Sequence, residues 1–228
     1  MSGAYLYCIA PAGVVPPGGL VGLEDAPVRV ASFGTFTAWY SELDARPEPS
    51  IERIRRHNQV VEAALTEEAT PVPARFGQWF TAPAALEEKL REGAAVHEES
   101  LRRVAGAVEF GLRVAELAAP PASAPAAVPE ATTGRAYLEA LAARAAADRS
   151  REERGREIAT RIASVLGPAV RQERVESAQS RHEVVRIAHL VARRDVEPYR
   201  AGVAEVRRRY PELRFLLSGP WPPYSFAA

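Results

Sequence analysis

A chain of 228 residues with 29 basic and 29 acidic side chains has room for one large domain or two of about 100 residues, and its zero net charge supplies no global field for nucleic acid or an anionic membrane. The lone cysteine, Cys8, excludes an internal disulfide and fits a reducing cytoplasm. No basic stretch opens the chain, Pro and Gly break the apolar run within 11–19, and no segment approaches a membrane span, so neither a secretory signal nor a transmembrane helix is expected.

The first element is "AYLYCIA" (4–10), short, aromatic and strand-like, with Tyr5 and Tyr7 on one face. Residues 11–27 are a Pro/Gly-rich loop. "VRVAS" (28–32) and "TFTAWY" (35–40) flank Phe33-Gly34 as a hairpin. Ser50 caps a helix expected to run to about Glu68, with Ile51, Ile54, Val61 and Leu65 on its apolar face, and Pro71 stops it. "PVPARFG" (71–77) then reads as a strand, with Val72, Ala74 and Phe76 on one side and Arg75 on the other. Thr81 and Pro83 suit the cap and first turn of a helix over "APAALEEKLREG", and a shorter helix follows at 95–104.

"AVEFGLRVAE" (107–116) alternates strictly, Val108, Phe110, Leu112 and Val114 inward, Glu109 and Arg113 outward. The Pro/Ala stretch 117–133 has the composition of a linker. A long helix over 135–166 would span about 45 Å, more than one small sheet covers, so part of it should overhang. Strands at 169–177 and 183–192, a helix at 196–209 and a strand at 213–219 complete the order β-α-β-β-α-β, the ferredoxin-like signature. The first half reads as a related module with a loop in place of its first helix. The expected fold is therefore α+β in two domains: 1–104, and a ferredoxin-like 105–228 that includes the 117–133 linker and a docked tail, 219–228. That tail, "GPWPPYSF" (219–226), has three prolines and should form a polyproline II rod, with Trp221 and Tyr224 packed against the protein.

Few residues invite chemistry. His57, beside Arg56 and Asn58, could serve as a general base, but no partner carboxylate or nucleophile is marked by spacing, and a hydrogen bond from the helix to a neighbouring loop is favoured. His189 reads as a hydrogen-bonded core histidine, and His97 and His182 as exposed. No metal-ligand spacing, phosphate loop or dinucleotide fingerprint occurs, and no cofactor is expected. Arg75 stands alone on the second face of an apolar strand, where it either pairs internally or recognises a partner; Glu109 and Arg113 pose the same question. Two other classes stay open. Tyr5 and Tyr7 could stack bases as in RNA-recognition modules, against which stand the neutral charge and the absence of the basic, aromatic signature of those modules. A ligand-responsive regulatory domain would need a polar pocket that the sequence does not mark.

Taken together, "RHNQVVEAALTEEATPVPARFG", "VAGAVEFGLRV", "GRAYLEAL" and "LSGPWPPYSF" resemble, in order and spacing, the gas vesicle GvpL/GvpF family over nearly the whole chain. The resemblance implies a non-enzymatic minor protein of gas vesicles, cytoplasmic and vesicle-associated. It would act in assembly with the hydrophobic shell protein and other vesicle proteins as partners, and need neither nucleic acid nor membrane. It implies two α/β domains, the second ferredoxin-like. By position, the family's motif residues fall on Arg56, His57, Arg75, Phe76, Gly77, Glu109, Gly219, Pro220, Trp221, Pro222, Pro223, Tyr224 and Phe226.

Overall fold

A computed structural model describes residues 2–117, 134–177 and 183–227. Its residues gather into two units, Met1–Glu109 with Pro220–Ala228, and Phe110–Gly219. Residues 105–109 and 220–228, expected with the second half, thus group with the first. The 117–133 linker (beyond Leu117) and His182 lie outside the described residues.

The first unit contains β1 (Gly3–Pro11), β2 (Arg29–Ser32), β3 (Phe36–Leu43), α1 (Ile51–Ala63), β4 (Val72–Pro73), β5 (Trp79–Phe80), α2 (Pro83–Glu92) and α3 (Ala94–Val104). Its strands lie in the order β2-β3-β1-β4, with β5 also pairing β1. The register of β1 on β3 shifts between Leu6 and Cys8, and this bulge brings Tyr5, Tyr7 and Cys8 into one cluster with Trp39, Leu43 and the α1 residues Val60, Val61 and Ala64. Leu86, Leu90, Leu101 and Val104 of α2 and α3 are buried outside that cluster, and both helices contact β1, so helices cover both faces of the sheet. Tyr5 and Tyr7 are fully buried and offer no face for stacking bases.

Three local expectations fail for identifiable reasons. Ser50 does cap α1, accepting from Arg53 N, but the helix ends at Ala63, because Thr66 and Ala69 bond each other's backbone and side chain in a turn of their own. Its buried face is His57, Val60, Val61 and Ala64, while Ile51 and Ile54 are 73% and 40% exposed. The expected strand 71–77 breaks after Pro73 into an Ala74–Gly77 turn, and α2 is capped by Ala82 without any side-chain bond, Thr81 lying outside it.

The second unit follows the order read from the sequence: β6 (Ala107–Glu116, whose first three residues group with the other unit), α4 (Gly134–Leu166), β7 (Gln172–Ser177), β8 (Glu183–Ala192), α5 (Val196–Arg209) and β9 (Leu213–Trp221). The sheet order β7-β8-β6-β9 is that of a ferredoxin-like fold, and the first unit repeats it with a loop for its first helix. Phe110, Leu112, Val114, Ile158, Ile162, Tyr199, Val203 and Val206 are its core. Gly155 lets α4 approach β8 closely: a methyl group there would sit 2.9 Å from Val184 O. The 33-residue α4 overhangs as expected, with Tyr137, Leu138 and Leu141 half or more exposed at its N-terminal end and Ile158, Ile162 and Leu166 buried at the other. Pro220 lies within β9, an edge strand, where a missing N–H breaks no ladder. The tail is therefore strand through Trp221 and a 3-10 turn at Tyr224–Phe226, rather than a continuous polyproline rod.

Candidate interaction site

His57 lies on the inward face of α1, at 1% exposure. Its Nε2 is 3.0 Å from Ala74 O and its Nδ1 is 2.9 Å from the Tyr5 hydroxyl. A carbonyl only accepts, so Nε2 carries the proton, and the neutral ring accepts at Nδ1 from Tyr5 O–H. Tyr5 in turn accepts from Gly77 N at 3.2 Å. Burial lowers the His57 pKa to about 4, against the weaker upward pull of Ala74 O, and burial likewise pushes the Tyr5 hydroxyl well up. The pair is thus locked in its uncharged form at neutral pH. With every polar atom of both rings used, the network has no base to lend to a reaction; its product is a fixed turn.

That turn runs from Ala74 to Gly77. The chain fastens its first carbonyl to His57 and its last N–H to Tyr5, and Phe76 packs at 5.8 Å from the Tyr5 ring and 5.9 Å from the His57 ring. Gly77 has φ +92, a conformation that L side chains avoid. Arg75 is left exposed at the tip.

The tail packs on the same unit. Tyr224 donates to Asn58 Oδ1 at 2.7 Å, so the helix-to-loop bond expected near His57 is made by Asn58 as well. Glu109, expected to face outward, is only 9% exposed and accepts from both N and Oγ of Ser225 at 2.7 Å. The tail folds over that strand position and turns an outward residue into a buried one. Arg103 donates to Phe226 O at 3.1 Å. Pro222, Pro223 and Phe226 are buried and Tyr224 is half-buried, whereas Trp221, expected to dock, is 46% exposed. Gly219 has φ +112.

The remaining singled-out residues are structural in geometry. Arg56 is 3.6 Å from Asp25. Arg113 reaches Glu183 at 3.8 Å across the second sheet. His189 is fully buried, between Tyr199 OH at 2.9 Å and Glu173 at 3.1 Å, as expected of a core histidine. His97, expected to be exposed, instead packs 5.6 Å from the Phe36 ring, and burial lowers its pKa. Among the described residues no group of three or more His, Cys, Asp or Glu is placed to hold a metal ion, and no helix is long and apolar enough to cross a membrane.

The sequence brought His57, Asn58, Arg75 and the tail to notice separately; the structure gathers them in one unit. It also recruits Tyr5, Arg103 and Ser225. Only a strand tyrosine facing a helix histidine could have hinted at the first, and nothing in the sequence marks the other two.

The family described as "Gas vesicle synthesis protein GvpL/GvpF" matches residues 3–228. Two proteins of Halobacterium salinarum are similar in sequence: gas vesicle protein F1, 25% identical over 91% of this chain and 84% of its own length, and gas vesicle protein F2, 25% identical over 86% and 77%. The crystal structure of the gas vesicle protein GvpF from Anabaena sp. PCC7120 superposes with a TM-score of 0.78 at 20% identity, covering 100% of this chain and 97% of that one. GvpF from Microcystis aeruginosa gives 0.73 at 18% identity, with both chains fully covered.

Proposed function

The chain belongs to the gas vesicle GvpL/GvpF family, and on that premise we propose that it is a non-enzymatic accessory protein of gas vesicle assembly, associated with vesicles in the cytoplasm, that binds the hydrophobic shell protein and other vesicle proteins. The observation that carries the reading is the family match along residues 3–228. The chemistry of the first unit supports it. His57, Tyr5, Asn58 and Glu109 hydrogen-bond a turn and a tail, which supports a role in displaying a preformed surface.

There is also a physical need. A shell subunit that turns apolar surface toward gas would expose that surface to water before assembly, where it aggregates, and a polar companion with a preformed binding face delays this. The test is affinity capture: the tagged chain, co-expressed with the other vesicle proteins, should retain the shell protein and yield crosslinks on the first unit. Failure to retain any vesicle protein, together with normal vesicle yield in cells lacking this chain, would remove the reading.

A further inference from the structure

The displayed turn carries, at Arg75, a guanidinium with no carboxylate within ion-pair distance among the described residues. Arg29, Arg53, Arg56, Arg91 and Arg102 of the first unit all lie within ion-pair distance of a carboxylate, yet among the described residues Arg55 of α1 does not, and neither do Arg46 and Arg75. Arg46 and Arg75 stand at one place, since a methyl group built on Gly77 would lie 3.9 Å from Arg46 Nη2. Arg46 is in the loop joining β3 to α1, and α1 passes against the turn at His57; one turn of helix before that contact Ile54 is 40% exposed, and Ile51 before it is 73% exposed. Ile51, Ile54 and Asn58 share one side of the helix by their spacing. Asn58, at the far end of that side, is already covered by Tyr224. One half of the stripe is occupied by the protein's own tail, and the other half continues that interface unoccupied.

We propose that Arg46, Arg75, Ile51 and Ile54 form a docking surface for an acidic amphipathic segment of a partner polypeptide, whose carboxylates pair with the two guanidiniums and whose apolar side chains cover the isoleucines. The inference deepens the reading above and rests on it, since it names the chemistry of the vesicle protein segment that would bind. Guanidiniums match carboxylates bidentately, and the pinned turn presents Arg75 without an ordering cost in the backbone. A nucleic acid fits less well: the chain has no net positive charge to hold a polyanion, and Ile51 and Ile54 answer the apolar side chains of an amphipathic segment rather than a phosphate backbone.

The experiment uses the full chain and a fluorescein-labelled helical peptide of about 18 residues, with leucines on one face and glutamates flanking them, read by anisotropy. The native chain should bind it, more weakly as salt rises, and bind the Glu→Gln peptide about tenfold or more weakly. The pairs Arg46→Ser with Arg75→Ser, and Ile51→Ser with Ile54→Ser, should each weaken binding comparably while unfolding at the native temperature, since all four side chains are exposed or carry no internal ion pair. Equal binding of the two peptides, or native affinity in either variant, overturns the proposal. So does arginine-dependent binding of a single-stranded RNA in place of the peptide, or self-association of the chain lost in the isoleucine variant. A parallel capture of shell protein separates the two readings. Undiminished capture by the variants overturns this surface and leaves the functional reading standing; no capture by the native chain, with arginine-dependent peptide binding, does the reverse.

Discussion

His57 is buried as a neutral ring, and acid should reveal it. Its folded pKa is about 4, below the ordinary 6.5, so above pH 6.5 folding gains nothing and loses nothing from it. Between pH 6.5 and 4 the unfolded chain takes up a proton that the folded chain refuses, and stability falls with pH across that window, by about 2–3 kcal/mol from this residue. His57→Gln, which can donate to Ala74 O and accept from Tyr5 without titrating, should flatten the difference; urea midpoints at pH 7 and pH 4.5 for both proteins measure it, and parallel curves would contradict the assignment. At the turn tip, Arg75 is exposed and without an ion pair among the described residues, so Arg75→Ala should stay within about 1 kcal/mol of the native stability. Gly77→Ala, forced to hold φ +92, should cost about 1–2 kcal/mol in the same denaturation assay. A larger loss for Arg75→Ala than for Gly77→Ala would mean that the tip is buried.

Among the elements, the tail is the one whose removal is most informative. Phe226 is fully buried, and Phe226→Ala should cost about 3–5 kcal/mol, while Trp221→Ala, at a site 46% exposed, should cost about 1 kcal/mol or less. Deleting 220–228 should lower the unfolding midpoint at least as far as Phe226→Ala, because it also strips Glu109 of the two donors from Ser225 and leaves a carboxylate in a place built for a bonded one. A truncated chain that melts like the native one would show that the tail is not part of the folded unit. In α4 the boundary lies near Gly155: amides of 140–150, on the exposed stretch, should exchange with deuterium well before those of 158–166, whose side chains Ile158, Ile162 and Leu166 are buried. Uniform protection along the helix would require a partner over its exposed half.

At the scale of the whole molecule, the first unit is discontinuous in sequence, 1–109 with 220–228. A fragment ending at Glu109 therefore lacks its last piece, and a peptide of residues 219–228 added in trans should raise its melting temperature in a saturable way. No effect of the peptide at high concentration would mean that the tail contributes only as a covalent continuation of β9. Surface charge, by contrast, should matter little to the fold. The ion pairs of both units are mostly half exposed, as Arg91–Glu87 and Arg208–Glu205 are, and pairs of that kind are worth about 0–1 kcal/mol each.

The sequence by itself determined the order of most elements, because strand alternation in 107–116, the Ser50 cap of α1 and Pro211 just past the end of α5 are local instructions that need no tertiary partner. It determined the ferredoxin-like arrangement of the second half and, through four separated stretches, the family. Which side chains are covered was decided only in three dimensions. Ile51 and Ile54 have the spacing of a core face, yet α1 is rotated so that His57 and Val60 face β1, because the Tyr5 hydroxyl and Ala74 O hold His57 there. Glu109 has the alternation of an outward residue, yet it is buried by a tail more than a hundred positions away in sequence. Periodicity states which residues share a face; it does not state which distant segment arrives to cover that face, and that choice belongs to long-range packing and hydrogen bonding.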